Sequence, residues 1–215
     1  MRPVPQAAAK YDRLAATYDA RWAFYLTQST SRTLERVAPR GADTLLDVGC
    51  GTGQLLRMVV DRWPALRACG MDPSRAMLRM ARRGAARTTS LVQAVGECLP
   101  IRDESIDWVV STSVLHYLRD PDAALLEWRR VLRPGGAVII TDWCRDYTTL
   151  RGFSLWQRLS SSAETHVHTG AELNSLLTRS SFERGSIDRY RINWFWGLMT
   201  ATARKPANAW EARKK

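Results

Sequence analysis

The chain has 215 residues, 45% hydrophobic and 25% charged, values ordinary for a globular protein with one substantial core. Lysine and arginine outnumber acidic residues 32 to 21, for a net charge of +11. The basic residues are scattered and form no aromatic-interleaved stripe, which speaks against a nucleic-acid surface and leaves peripheral contact with an anionic membrane open. Nothing reads as a signal peptide or as an apolar run of about 20 residues, so no membrane crossing is expected.

In chain order, residues 1–9 read as a loose terminus. Tyr11, Leu14, Ala15, Tyr18, Trp22 and Tyr25 then recur at helical spacing and predict an aromatic-faced helix. A further helical stretch around Thr33 to Val37 ends near Pro39-Arg-Gly41. From there strand and helix alternate: strand 44–48, helix 53–62, strand 66–71, helix 74–83, strand 89–94, strand 105–111, helix 121–132 and strand 137–141. Pro121 suits the first turn of its helix, and Arg133-Pro-Gly-Gly136 ends that helix and turns the chain into the next strand. Alternation at this interval demands an α/β, doubly wound, mostly parallel sheet.

The pattern loosens from Trp143 to Thr169, where polar runs such as Ser160-Ser161-Ser162 dominate. Residues 170–179 are helical in pattern. Two strand-like stretches, 182–190 and 193–203, lie too close for a helical crossover and so predict an antiparallel pair. The end of the chain, from Lys205, reads as a basic, unstructured tail. Cys50, Cys69, Cys98 and Cys144 show no C-x-x-C spacing, so neither a zinc cage nor a disulfide framework is indicated, and a reducing cytoplasm suits them.

The chemistry is concentrated in Thr44-Leu-Leu-Asp-Val-Gly-Cys-Gly-Thr-Gly-Gln-Leu-Leu56: a buried strand, a glycine turn and the start of a helix. Gly49, Gly51 and Gly53 let the backbone approach a ligand with no Cβ in the way. The turn has Gln54 where a dinucleotide fingerprint needs its third glycine, and it lacks the lysine of a phosphate loop. Asp47 just before the turn would repel a pyrophosphate and welcome a cation. Asp72 ends the next apolar run, about 20 residues past the glycines, where a carboxylate reaches ribose hydroxyls. A ribose without phosphates, carrying positive charge, describes S-adenosyl-L-methionine.

These residues resemble the first motif of class I S-adenosylmethionine-dependent methyltransferases. Met71-Asp-Pro-Ser74 with Met77-Leu78, Glu97-Cys-Leu-Pro100 and Leu132-Arg-Pro-Gly-Gly136 resemble further motifs of that family. Tyr11-Asp12 and Tyr18-Asp19 are similar to the amino-terminal segment of the methyltransferase type 11 subgroup containing the ubiquinone and menaquinone methyltransferases. The resemblance covers roughly residues 11–142 and implies a Rossmann-like, seven-stranded sheet closed by an antiparallel hairpin. It also implies one domain over residues 1–205, with a helical lid (11–40), an acceptor-side insertion (143–169) and the basic tail (206–215) outside it. Tyr18 is expected to reach the cofactor from the lid, with the other lid aromatics in the core. Cofactor contacts are expected from Asp47, Gly49, Cys50, Gly51, Gly53, Asp72, Pro73 and Met77. Many relatives read adenine with an acidic residue where this chain has Val95, so that role falls to backbone near Gly96 and Glu97. Ser111 and Thr112, ending the fourth strand, are expected along the methionine part.

His116 is the first candidate for a catalytic base, and Asp142, Trp143 and Cys144 end the fifth strand on the ligand side; Asp142 is the second catalytic candidate. His166 and His168 share one side of an extended segment, but no third ligand stands at readable spacing, and no metal is assigned. Trp194 and Trp196 face the same way at period two, which suits core packing first and an acceptor pocket second. The expected function is methyl transfer to a small, partly apolar or aromatic metabolite. An RNA methyltransferase and a non-catalytic S-adenosylmethionine-binding protein are the rivals; no oligomeric state is readable.

Overall fold

A computed structural model describes residues 6–84, 89–159 and 165–207. Seven strands form a single sheet in the order β3-β2-β1-β4-β5-β7-β6. They are β1 (Thr44–Val48), β2 (Arg67–Asp72), β3 (Ser90–Gln93), β4 (Ile106–Thr112), β5 (Leu132–Trp143), β6 (Glu183–Arg191) and β7 (Gly197–Arg204). The first five are mutually parallel, and β7 runs antiparallel to both β5 and β6. The doubly wound sheet and its closing hairpin are therefore as expected.

The period of two in the strands divides the core in two. On one face Leu46, Val109, Val138 and Ile140 pack with residues of α5 (Pro121–Val131) and α7 (Gly170–Arg179), among them the fully buried Trp128. On the other, Leu45, Trp108, Val110 and Ile139 pack beneath α3 (Gln54–Arg62) and the end of α2 (Tyr18–Leu34). Each such side chain contributes about 1.5–3 kcal/mol on leaving water. α4 (Arg75–Gly84) covers the β2–β3 side of the sheet.

Five boundaries differ from expectation. Residues 6–9 are not loose: α1 (Gln6–Leu14) begins there, and a three-residue turn separates it from α2, which continues to Leu34 with a kink at Trp22 (φ −113°). Arg133–Gly136 is drawn into β5 as a bulge between the Ile106–Leu132 and Trp108–Ala137 pairs, with Gly135 at φ +76°. The polar stretch after Trp143 contains α6 (Thr148–Leu159). The last strand begins at Gly197 because Asn193 accepts bonds from the amides of Phe195 (2.9 Å) and Trp196 (2.6 Å), closing a turn there. Lys205 is not tail-like but buried, donating to Glu104 (3.0 Å) and to the Leu132 carbonyl (2.8 Å). The Ser160-Ser161-Ser162 run and residues 208–215 lie outside the described residues. Among the described residues no helix is long and apolar enough to cross a membrane.

Candidate active site

The sheet reverses its winding between β1 and β4, and a crevice opens there beyond the carboxyl ends of the strands. A cleft of about 550 Å³ occupies it, lined by Gly49, Gly51, Asp72, Pro73, Met77 and Thr112 from the sheet side and by Tyr11 and Tyr18 from the lid. All three glycines of the turn have positive φ: Gly49 +76°, Gly51 +53°, Gly53 +80°. Their surroundings differ. A Cβ on Gly49 would sit 2.3 Å from Val114 Cγ2, and one on Gly53 would press on Ala81 at 3.1 Å. A Cβ on Gly51 would meet nothing within 4 Å, so this glycine is the one that leaves room in the cleft.

Asp72 lines the cleft and also ties it together. Its Oδ2 accepts from the Gly51 amide at 2.9 Å and its Oδ1 from the Ser74 amide at 2.8 Å, so the carboxylate locks the glycine turn to the start of α4. Burial pushes its pKa up to about 6, with those two backbone bonds opposing the rise. Asp47 is more deeply placed, at 2% exposure; burial, then the neighbouring Asp72, pushes it up to about 8. Two buried carboxylates side by side favour a cationic occupant. Asp47 and Cys50 line a side recess of the cleft with Thr52 and Gln54.

Other expected donor-side residues also take part in bonds within the fold. The Gly96 carbonyl accepts from Trp128 Nε1 (3.0 Å), Glu97 accepts from the Arg119 amide (3.2 Å), and neither residue lines the cleft. Ser111 is buried, its hydroxyl without a hydrogen-bond partner, whereas Thr112 lines the cleft and bonds Thr33 at 2.9 Å. Adjacent strand residues face opposite ways, so only one of this pair could point into the cleft. Met77 is both lining and core, packed with Ala15 and Ala76.

The two Tyr-Asp dipeptides act as matched stitches. Tyr11 and Tyr18 pack edge to face at 5.7 Å and roof the cleft. Asp12 accepts from Ser74 Oγ (2.6 Å) and the Ala76 amide (3.0 Å), and Asp19 accepts from Thr52 Oγ1 (2.5 Å). Each aspartate thus fastens the lid to a donor-side motif.

Beside the cleft lies a second cavity of about 900 Å³ with aromatic walls: Tyr25 and Trp22 from α2, Trp143 from β5, Phe153 from α6, and Phe195 and Trp196 from the turn before β7. The lid aromatics Tyr11, Trp22 and Tyr25 line this chamber, with Tyr25 also buried as expected, and α2 is kinked at Trp22. Trp194 is 79% exposed and does not share the face of Trp196, since no strand runs there. Cys144 is fully buried in the core, away from the chamber.

His116 lines the chamber and pairs with Asp142, which lies behind it and outside the lining. β4 is followed by Ser113 at φ +62°, a conformation that redirects the chain into the 3-10 turn Leu115–Tyr117. This sets His116 Nδ1 2.5 Å from Asp142 Oδ1, with both residues 2% exposed. The ring stacks on Trp143 at 4.0 Å and 15°. Trp143 is held in turn by donating Nε1 to Tyr25 (2.8 Å), which also bonds Ser113 (2.6 Å). His116 Nε2 is buried and has no hydrogen-bond partner. His166 and His168 pack edge to face at 4.6 Å, and the His166 amide donates to the His116 carbonyl (2.7 Å). Among the described residues no three His, Cys, Asp or Glu side chains gather as a metal site.

Residues 46–140 match the methyltransferase domain family. The chain is 38% identical over 130 residues to malonyl-[acyl-carrier protein] O-methyltransferase of Geobacter sulfurreducens, covering 59% of this chain and 48% of that one. It is 32% identical over 202 residues to the enzyme of the same name from Laribacter hongkongensis, covering 86% and 66%. Among solved structures, the [4+2]-cyclase SpnF superposes with a TM-score of 0.76 at 20% identity, covering 96% of this chain and 98% of that one. At that identity the likeness concerns the fold alone. Residues 46–140 thus form a methyltransferase domain like that of these relatives. The chain spans about half the length of the first curated relatives it matches.

Proposed function

We propose that this protein transfers a methyl group from S-adenosylmethionine to a small, partly apolar or aromatic acceptor held in the aromatic chamber. One observation carries the reading: the cleft and the chamber share Tyr11, Tyr18, Ser113 and Tyr117 as a common wall, so occupants of the two can meet there. Methyl transfer needs little beyond such an arrangement, since the donor brings its own electrophile and the protein aligns the partners and excludes water.

In this reading Asp72 accepts from the ribose hydroxyls while keeping its backbone bonds, Gly49, Gly51 and Pro73 lie along the donor, and Met77 packs on adenine. Tyr18 closes over it, and Asp47 with the Cys50–Gly53 turn answers its positive charge. Residues 1–205 work as one domain, in which α1, α2 and the segment from Trp143 onward supply the acceptor walls. The free cysteines fit a reducing compartment such as the cytoplasm. Malonyl-[acyl-carrier protein] and trans-aconitate, named for two relatives, are carboxylate-bearing acceptors; the walls here favour a more aromatic one.

Melting curves with S-adenosylhomocysteine, NAD and ATP test the donor half. At about 100 times the dissociation constant, S-adenosylhomocysteine should stabilise the fold by about 2.7 kcal/mol while the others do nothing. Mass spectrometry across a metabolite panel tests the acceptor half by a gain of one methyl group. A shift of tRNA mobility that persists through a salt series would favour the RNA-methylating rival instead.

A further inference from the structure

We infer that the methylated atom is a hydroxyl oxygen on an aromatic ring and that His116, oriented by Asp142, takes its proton; this rests on the methyl-transfer reading above. The tautomer follows from Asp142. Its Oδ1 accepts from the Trp143 amide at 2.6 Å and its Oδ2 from the His116 amide at 3.2 Å, and a backbone N–H can only donate. Asp142 is an acceptor on both oxygens, so Nδ1 of His116 carries a hydrogen toward it, and in the neutral imidazole Nε2 then presents a lone pair. That lone pair is the feature the fold leaves unanswered. A buried nitrogen without a partner is costly, and such groups are expected to find one in a ligand. The stack on Trp143 and the contact with Tyr117 at 4.2 Å hold the ring in place.

The chamber selects among nucleophiles. Lys10 is the one permanently charged side chain among the described residues that line it, and no carboxylate lines it. A carboxylate acceptor is already ionised and would leave an oriented base idle, while a protonated amine would find no counter-charge. A neutral hydroxyl on an apolar ring suits both: the ring packs on the aromatic walls and the O–H donates to Nε2. In the transfer, the O–H bond breaks as its proton passes to Nε2, and an oxygen lone pair forms the new bond to the methyl carbon. The carbon–sulfur bond breaks with its electron pair left on sulfur. The products are a methyl ether and S-adenosylhomocysteine, and the imidazolium returns its proton to solvent.

The test uses 1-naphthol, phenol and 4-nitrophenol beside 1-naphthylamine and 1-naphthoate, with the wild type and His116→Gln. S-adenosylhomocysteine should stabilise both proteins; if it stabilises neither, the methyl-transfer reading itself falls. With donor bound, methyl ethers should form from the hydroxylated rings. Preferential methylation of the amine, the carboxylate or a ring carbon, or no ether at all, overturns the inference. His116→Gln should still bind 1-naphthol, weakened by about tenfold at most and read by quenching of tryptophan fluorescence, yet lose about a hundredfold or more in kcat with phenol. With 4-nitrophenol, which ionises near neutral pH unaided, the loss should shrink to about tenfold or less. Equal losses with the two phenols would make His116 a packing residue and reject its role as base.

Discussion

The donor cleft is made of backbone: three positive-φ glycines, two carboxylates at strand ends, and amides that bind Asp72 from the glycine turn and from α4. The acceptor chamber is lined largely by aromatic residues brought together from α1, α2, β5, α6 and the turn before β7. The first must hold one fixed ligand, and main-chain geometry at the end of a parallel sheet does that with little dependence on neighbours. The second must fit whatever this chain methylates, and side chains on separate segments can be changed one at a time without disturbing the sheet. Perturbing each region separately therefore should damage different kinetic constants.

The largest expected effect is on the donor side. Gly51→Val should abolish donor binding in a calorimetric titration, because the branched side chain enters open cleft space at φ +53°. The protein should remain folded, less the about 1–2 kcal/mol of a non-glycine residue in the left-handed region. Gly49→Ala separates the two consequences: its Cβ would lie 2.3 Å from Val114 Cγ2, so it should lower the melting temperature first. Unchanged donor affinity in Gly51→Val would mean that the turn does not face the ligand.

Next comes Asp72→Asn. Replacing an acceptor oxygen by a donor should remove at least one charge-assisted bond to the ribose and weaken donor binding about ten- to hundredfold. The ligand-free protein should also melt earlier, since the same carboxylate binds the Gly51 and Ser74 amides. A variant that loses stability but binds the donor normally would reduce Asp72 to a structural lock.

On the acceptor side, Trp196→Ala should raise KM for the acceptor about tenfold while donor affinity stays put, the loss of one aromatic face in contact with Trp143 at 5.0 Å. A matching fall in donor affinity would show that cleft and chamber are not separable.

The same division explains what could be read from the chain alone. The strand–turn–helix of residues 44–56 and the carboxylate at Asp72 were legible because local spacing dictates them. His116 and Asp142 were each singled out for standing after a strand's end, but their 2.5 Å pairing depends on Ser113 turning the chain, which no residue type at that position announces. The chamber was hidden for a related reason. Tyr11, Trp22 and Tyr25 at helical spacing look like a core stripe, and only the break after Leu14 and the kink at Trp22 turn them toward a cavity. The stitches made by Asp12 and Asp19 were half visible: the dipeptides stood out, their partners Ser74 and Thr52 did not. At Gly96 and Glu97 the fold engages the Gly96 carbonyl and the Glu97 carboxylate, while the sequence pointed to the backbone there.

The smallest expected effect separates the two regions by pH. Asp47 and Asp72 have pKa values raised by burial to about 8 and about 6, above the 3.8 of a free aspartate. A carboxyl raised in the folded state destabilises the fold when ionised. That penalty is absent below the unfolded value, grows as pH rises through it, and is complete above the folded value. The ligand-free protein should therefore lose stability from these two groups as pH climbs from about 4 to about 8. A cationic donor favours the ionised carboxylates, so its binding releases protons and tightens over the same upper range. Between pH 6 and pH 8 the affinity for S-adenosylmethionine should rise several-fold, and Asp47→Asn should flatten the curve. Binding of naphthalene, which has nothing to ionise and meets aromatic walls, should not vary across that interval. If donor affinity is flat while naphthalene binding changes, the charge that matters lies in the chamber, and the assignment of cation to cleft and ring to chamber must be reversed.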